Sequence, residues 1–333
     1  MKVIDMHCDT ISEIYLKREN GQAESLSKNS LHLDLESMRS GDYMLQNFAL
    51  FTPLGRTETG NSPFGYGMKL LDVFYEEMAK NTDKISPVTT YKEIEENMRQ
   101  GKMSALLTLE EGGVCEGDIR LLRDFYRLGV RMMTLTWNFP NELGYPANVT
   151  EGIYVGTDFN TQEYGLTKTG IAFVKEMERL GIIIDVSHLN DQGIFDVLRH
   201  TKRPIVASHS NARALCSHPR NLPDELIKAI AARGGVIGIN YCPSFLRDWK
   251  EDDHVMSKVE DMVRHIKYNR NLAGIECIGL GSDFDGIQGE LELASPAELP
   301  QLEKALRNED FSEKEIEAIF YKNVLRVYKQ LLI

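Results

Sequence analysis

The sequence lacks the features that mark several common classes of protein. No apolar run approaches the roughly 20 residues that a membrane-spanning helix needs. The N-terminal segment MKVIDMHCDT has no extended apolar region before a small-residue cleavage site, so no signal peptide is predicted. Acidic residues outnumber basic ones, and the net charge of −12 argues against nucleic acid or an anionic membrane surface as a partner. We therefore expect a cytoplasmic protein.

Cysteine is also scarce. The five cysteines include no CxxC pair, and their odd number cannot be fully paired within the chain, so we expect reduced, buried thiols. Cys8 stands apart because it lies between His7 and Asp9, where a thiolate could bind a metal ion. On a strand, however, its side chain should point to the opposite face from those two residues. The cysteines are Cys8, Cys115, Cys216, Cys242 and Cys277.

Short apolar segments alternate with amphipathic helices, most clearly in the second half of the chain. TGIAFVKEMERLG has helical spacing and ends at a glycine, whereas IIIDVS and GVIGINY are typical of buried strands. Strands separated by helices imply parallel pairing through crossovers. The eight predicted strands are KVIDMH, MLQNFALF, KMSALLTLEE, RMMTLTW, IIIDVS, RPIVAS, GVIGINY and IECIGLGS.

Eight such units predict an α/β fold of the TIM-barrel type, (β/α)8, as a single domain over residues 1–333. The alternative, an open doubly wound sheet, would need a glycine-rich phosphate loop after the first strand. HCDTISE follows that strand and contains neither GxGxxG nor GxxxxGK, which favours the barrel. Segments 52–65 and 138–167 are expected to be loops over the catalytic face. The last helix is expected to begin at the N-cap Ser312.

Metal-ligand residue types stand at the carboxyl ends of the predicted strands. His7 and Asp9 form an HxD pair, and residues i and i+2 on a strand face the same way. His188 and His209 end successive strands, and paired strands lie about 4.8 Å apart. In a parallel barrel these strand ends form the catalytic face. The pattern therefore predicts a metal-dependent hydrolase.

Two pairs of nearby carboxylates leave open which member of each pair acts at the metal centre. Glu110 and Glu111 should point to opposite faces, so at most one should reach the metal centre. We favour Glu111, although spacing alone does not choose it over Glu110. Asp283 is the candidate acid–base group beside a metal-bound water. Asp285 competes for that role, although the Asp285-Gly286 pair is also a turn signal.

Five candidate ligands are too many for one tetrahedral zinc ion with an open position. They suit two metal ions, about 3.5–4 Å apart, that share a bridging carboxylate and a bridging hydroxide. Imidazole and carboxylate without thiolate are compatible with zinc, and also with manganese, cobalt or iron. The predicted ligands are His7, Asp9, Glu111, His188 and His209.

The motifs HxD, LEEGG, DVSH, ASHSNARALCSHPRNLPD and GLGSDFDG together resemble the renal (membrane) dipeptidases, zinc peptidases of the amidohydrolase superfamily. The similarity runs from the first strand to the C-terminal NVLRV segment. The resemblance implies a distorted barrel with two Zn²⁺ ions, and a homodimer. His7 and Asp9 would bind the first ion, and His188 and His209 the second. Glu111 would bridge both ions.

The resemblance also implies substrate-binding roles. Arg220 matches an arginine that holds the free carboxylate of the substrate, a task that suits a guanidinium. Trp137, in TLTWN, replaces a family histidine that contacts the substrate, so it could shape a different pocket. Asn138 could donate a hydrogen bond to the developing oxyanion. Tyr241, at the end of GVIGINY, is a further candidate for substrate binding.

These features predict a zinc-dependent dipeptidase, a hydrolase that cleaves L-L and, by family analogy, L-D dipeptides. The bridging hydroxide would attack the peptide carbonyl, and Asp283 would pass the proton to the departing amine. One alternative is another amidohydrolase, such as an N-acyl-amino-acid hydrolase, a lactonase or a deaminase. A second is a metal-binding protein without turnover, which only the TLTWN change supports.

Overall fold

The computed structural model describes residues 1–54, 62–147, 164–250 and 254–333. Much of the two predicted loop segments, 52–65 and 138–167, lies outside the described residues, and their placement over the catalytic face stays a prediction there. None of the helices in the described ranges is long and apolar enough to cross a membrane. The five cysteines are free, which confirms the expectation of unpaired thiols.

A parallel sheet forms the centre of the molecule. Eight strands close into a ring in the order β1-β2-β4-β5-β6-β7-β8-β10, and β10 pairs again with β1. The short β3 pairs with the first residues of β4, and β9 and β11 form a separate two-stranded sheet. The strands are β1 Val3–Asp5, β2 Tyr43–Phe51, β3 Ile85–Val88, β4 Met103–Glu110, β5 Met132–Thr134, β6 Ile183–Asp185, β7 Val206–Ala207, β8 Val236–Ile239, β9 Met256–Ser257, β10 Ile278–Leu280 and β11 Glu290–Leu291.

The closed ring confirms the predicted TIM-type barrel, and each predicted strand segment overlaps one strand of it. The sequence argument missed β3, because ISPV contains a proline and lacks alternation. Proline is tolerated in such a position because β3 pairs on one side only, with Met103–Leu106 of β4.

Helices surround the ring. The predicted N-cap Ser312 is confirmed, since its hydroxyl accepts a hydrogen bond from the Glu315 amide and Glu315 reaches back in a capping box. A π-helical turn at Ala318–Lys322 joins the last two helices. The helices are α1 Thr10–Glu19, α2 Leu35–Ser40, α3 Pro63–Lys80, α4 Tyr91–Gln100, α5 Ile119–Arg127, α6 Lys168–Leu180, α7 Asp191–His200, α8 Asp224–Ala232, α9 Pro243–Leu246, α10 Val259–Ala273, α11 Pro300–Asn308, α12 Glu313–Glu317 and α13 Asn323–Leu331.

Alternation along the strands divides the apolar side chains into two clusters. One cluster fills the barrel and meets the C-terminal helix; it includes Ile4, Leu106, Ile183, Val206 and Val236. The neighbouring residues on the same strands, such as Leu107, Ile184 and Ile237, belong to the cluster beneath the outer helices. A strand residue two positions beyond an inward one also points inward. This parity distinguishes neighbouring side chains at the end of β4, where Glu110 shares the inward parity of Leu106.

A buried carboxylate on α3 ties that helix to α1 and to the segment after α1. Glu77 accepts hydrogen bonds from the Leu26 amide (2.7 Å), from Lys80 (3.1 Å) and from the Arg18 guanidinium. Burial favours protonation, but these hydrogen bonds outweigh it and lower the pKa of Glu77 below its ordinary value. The carboxylate is therefore a stabilising group at neutral pH.

We expect Glu77→Gln to lower the free energy of unfolding by about 2 kcal/mol at pH 7, because the amide places a donor against existing donors. A lowered folded-state pKa gives stability that is complete above the ordinary value of 4.5 and is lost as the pH falls through the folded value. The difference in the free energy of unfolding between the wild type and Glu77→Gln should therefore become smaller in acid. Urea titrations at several pH values measure this difference. Glu76→Gln, whose carboxylate is exposed at 51 %, is the matched control and should change little.

Candidate metal centre

Six buried ionisable side chains meet at the carboxyl ends of the barrel strands. Their ligand atoms form three overlapping groups in which all atoms lie within 4.8 Å of one another. Residues from both ends of the chain contribute, since β1 and β10 are neighbours in the ring. The six are His7, Asp9, Glu110, His188, His209 and Asp283.

Glu110 lies at the centre of this cluster. Its Oε2 is 3.2 Å from His7 Nε2, and its Oε1 is 3.1 Å from His188 Nε2 and 3.7 Å from His209 Nε2. On the side of Glu110 Oε2, Asp9 Oδ2 lies 3.3 Å from His7 Nε2. The two oxygens of one carboxylate thus face two different sets of ligands.

The prediction that Glu111 bridges the metals does not match this geometry. Glu110 has the inward parity of Leu106 on β4, whereas Glu111 follows the strand and has the opposite parity. A positive φ of 85° turns Glu111 further away. Its Oε2 accepts a hydrogen bond from the Trp137 amide (2.8 Å), and its Oε1 accepts hydrogen bonds from the Gly113 amide (2.7 Å) and from the Asn141 amide group. Glu111 therefore holds the loop after β5.

Two of the clustered side chains sit on strained backbone. His188 has a φ of 67° and Asp283 a φ of 63°, values that non-glycine residues adopt rarely. Each residue lies three positions beyond the end of a short strand, so the left-handed conformation occurs at the site itself. Such strain is common where a structure fixes functional side chains.

The charged groups of the cluster shift one another's pKa values. Burial lowers the pKa of His7, but Glu110 and Asp9 outweigh it and raise that pKa well above its ordinary value. Burial raises the pKa of Glu110, but His7 and His188 outweigh it and hold that pKa well below its ordinary value. Burial and the nearby Arg220 lower the pKa of His188 to about 4. The carboxylates of the cluster therefore stabilise positive charge at His7, as they would at a bound cation, while His188 stays neutral.

The residues fit a metal centre. His7 Nδ1 and Nε2 and Asp9 Oδ1 are buried without a hydrogen-bond partner among the described residues, although buried polar atoms are normally paired. His7 Nε2 lies 3.2–3.8 Å from three carboxylates without forming a hydrogen bond to any of them. Imidazole and carboxylate ligands suit zinc and related divalent ions.

Neutral side chains fix the orientation of the cluster. Asn240 donates a hydrogen bond to Asp283 Oδ2 (2.9 Å), which leaves Oδ1 near His7. His188 Nδ1 lies 3.2 Å from Asn138 Oδ1, and His209 Nδ1 lies 2.7 Å from the Ser208 hydroxyl. In both histidines Nε2 faces the cluster. Sequence reasoning missed Asn240 and Ser208, although each has the inward parity of Val236 or Val206 on its own strand.

A cavity of about 670 Å³ opens onto the cluster. Trp137 and Asn138 line it, as predicted for substrate-binding residues. The Trp137 ring stands at 4.9 Å, edge to face, from Phe51, so this wall is aromatic. Asp285 also lines the cavity, but it accepts hydrogen bonds from the Thr10 hydroxyl and from the His32 amide. These partners distinguish it from Asp283, which touches the cluster.

The other two predicted substrate residues do not line the cavity. Tyr241 has the outward parity of Ile237 on β8 and is buried edge-on against Phe284, so the structure places it away from the cavity that the predicted substrate contact requires. Arg220 is 3 % exposed and lies behind His209, where it donates hydrogen bonds to the His209 carbonyl (3.0 Å) and the Ser210 hydroxyl (3.3 Å). Its Nε has no partner in the described part of the chain.

Comparison with known proteins identifies the family of the chain. The family model for the membrane dipeptidases, peptidase family M19, matches residues 1–332. The chain belongs to this family. It is therefore a metallopeptidase of the dipeptidase type, and the family acts on small peptides.

Several known proteins are similar to the chain. It is 30 % identical to an uncharacterised dipeptidase of Schizosaccharomyces pombe over 99 % of this chain and 80 % of that protein. It is 39 % identical to an uncharacterised protein from the pqqA 5′ region of Klebsiella pneumoniae, over 71 % of this chain and 85 % of that one. The crystal structure of dipeptidase AC, an M19 metallopeptidase, superposes with a TM-score of 0.86 at 25 % identity, covering 100 % and 99 % of the two chains.

Proposed function

We propose that the protein is a zinc-dependent dipeptidase that holds two Zn²⁺ ions and hydrolyses free L-L and L-D dipeptides. The observation that carries this proposal is the position of Glu110, whose two oxygens face His7 with Asp9 on one side and His188 with His209 on the other. A carboxylate in that position can bridge two ions. Glu110 thus takes the role that the sequence argument gave to Glu111.

The ions would supply an activated water as nucleophile and would polarise the carbonyl oxygen of the scissile bond. Asp283 would accept a proton from the attacking water and donate it to the departing amine. Burial raises the pKa of Asp283 above its ordinary value, which favours proton acceptance. Asn240 holds the other carboxylate oxygen and keeps Asp283 in place. Trp137 and Asn138, in the wall of the cavity, contact the substrate beside the reacting carbonyl.

A panel of L-Xaa-L-Yaa and L-Xaa-D-Yaa dipeptides tests this proposal with zinc-loaded and chelator-treated protein. An N-acetyl amino acid and a C-terminally amidated dipeptide serve as controls. We expect metal-dependent cleavage of the free dipeptides, with the amidated control spared. If loaded protein cleaves the N-acetyl amino acid and no dipeptide, the proposed substrate class is wrong.

Arg220 is proposed to bind the free carboxylate of the dipeptide, because its guanidinium is buried beside the cluster with an unused Nε donor. We expect Arg220→Lys to raise KM for dipeptides about 10- to 100-fold, the loss of a charged hydrogen bond, with unchanged metal content. Arg199→Lys is the matched control, since Arg199 is exposed and paired with Asp196, and it should leave KM unchanged. An unchanged KM in Arg220→Lys would reject the role of Arg220.

A further inference from the structure

A chain of hydrogen bonds lies beneath the metal cluster, inside the barrel. Asp185 at the end of β6 accepts a hydrogen bond at Oδ2 from the Ser208 hydroxyl, and that hydroxyl oxygen lies 2.7 Å from His209 Nδ1. The three residues are buried, with no measurable exposure. Ser208 therefore links a carboxylate to an imidazole whose other nitrogen faces the ligands.

The hydrogen bonds of Asp185 fix the direction of this chain. Its Oδ1 accepts from the backbone amides of Ser187 (3.0 Å) and Ser208 (2.9 Å), and its Oδ2 accepts from the Thr134 hydroxyl (2.8 Å) as well as from Ser208. The carboxylate is thus the acceptor in each of these hydrogen bonds. A hydroxyl has one proton, and that of Ser208 is used on Asp185. The Ser208 oxygen can then only accept from His209, so the proton of the imidazole is on Nδ1.

We infer that Asp185 and Ser208 are positioning residues that hold His209 in the Nδ1-protonated tautomer and so keep its Nε2 free to bind metal. The inference rests on the metal centre of the proposed function. Nothing else within the described residues accepts the Nδ1 proton. Partners of this kind typically change metal affinity 10- to 100-fold when they are lost.

Asp185→Asn should reverse the donor and acceptor roles in the hydrogen bonds that join residue 185, Ser208 and His209, and not merely weaken these bonds. Two backbone amides donate to Oδ1, so the asparagine must place its carbonyl oxygen there. Its NH₂ group then faces Ser208 and donates to the hydroxyl oxygen. The Ser208 proton turns to His209 Nδ1, and the imidazole proton moves to Nε2, where it blocks the metal. The double variant Asp185→Asn/Ser208→Ala also removes the Ser208 hydroxyl, so no hydroxyl proton is directed at His209 Nδ1 and the imidazole is no longer forced to carry its proton on Nε2.

The test combines two measurements. The first is ¹⁵N NMR of metal-free protein at neutral pH, with the His209 signals assigned by their absence in His209→Asn. We expect the Nδ1-protonated tautomer in the wild type and in Ser208→Thr, a mixture in Ser208→Ala, and the Nε2-protonated tautomer in Asp185→Asn. The second is Zn²⁺ affinity, from competition with a chromogenic chelator, on the same proteins.

For affinity we expect Ser208→Thr to match the wild type, Ser208→Ala to lose about 10- to 100-fold, and Asp185→Asn to lose more. The double variant should bind tighter than Asp185→Asn, whereas purely structural damage would make it weaker. An Nδ1-protonated His209 in Asp185→Asn, or a double variant weaker than Asp185→Asn, overturns the inference. If Asp185→Asn does not fold, a single unchanged tautomer in Ser208→Ala overturns it. The tautomers are read without substrate, so a failure of the dipeptidase proposal is seen separately.

Discussion

Asp283→Asn lowers kcat for dipeptide hydrolysis by about 10²- to 10⁴-fold, while metal content stays at the wild-type value. Asparagine keeps the size of the side chain and one oxygen, but it cannot carry a proton between the water and the leaving amine. Asn240 donates to Asp283 Oδ2, so the amide oxygen takes that position and the new NH₂ group faces His7. Steady-state kinetics together with metal analysis of the same sample measure the effect.

Asp285→Asn is the matched control for this prediction. Asp285 is two residues away and lines the same cavity, but its carboxylate is used by Thr10 and His32. We expect a decrease in kcat of less than about 10-fold, since no proton transfer is lost. Equal losses in the two variants, or normal turnover by Asp283→Asn with its metal bound, would contradict the role of Asp283.

Glu110→Gln has the second large expected effect. A neutral amide cannot supply an anionic oxygen to each side of the cluster, where the wild-type carboxylate lies 3.2 Å from His7 and 3.1 Å from His188. We expect the affinity for at least one metal ion to fall by more than the roughly 10- to 100-fold that the loss of an outer partner costs. Dipeptide hydrolysis should fall with it. Metal content after dialysis against a weak chelator measures the loss.

Glu111→Gln distinguishes the two adjacent carboxylates. Its amide would place a donor against the amides of Trp137 or Gly113, at a cost of about 1–3 kcal/mol in the free energy of unfolding. Metal content should stay at the wild-type value. A Glu111→Gln protein that loses metal while Glu110→Gln keeps it would restore the prediction made from the sequence.

The sequence reveals the strand ends but not which side of each strand faces the barrel axis. In an amphipathic strand, alternation of apolar and polar residues would show the inner face. The barrel strand ALLTLEE is buried on both faces, so Leu106 and Leu107 look equivalent although they pack in different clusters. That ambiguity explains the choice of Glu111 over Glu110. It also explains the choice of Tyr241, whose neighbour Asn240 is the residue that points inward.

Residues whose chemistry is specific were predicted well. The histidines His7, His188 and His209 lie together with Asp9 and Asp283, as their places at strand ends indicated. Their supporting partners are serines and asparagines, which are common in loops and give no signal of their own in one sequence. The positive φ of His188 is likewise a property of the folded chain, since histidine carries no marker for that conformation.

The most direct test of the account is a titration of metal-free protein with Zn²⁺, in which bound metal and hydrolysis of a free dipeptide are measured in the same samples. The cluster around Glu110 offers two sets of ligands, so the account predicts that both curves reach a plateau at about two ions per chain. Full hydrolysis at one ion per chain would contradict the shared role of Glu110. Two bound ions without hydrolysis of any dipeptide would contradict the proposed function.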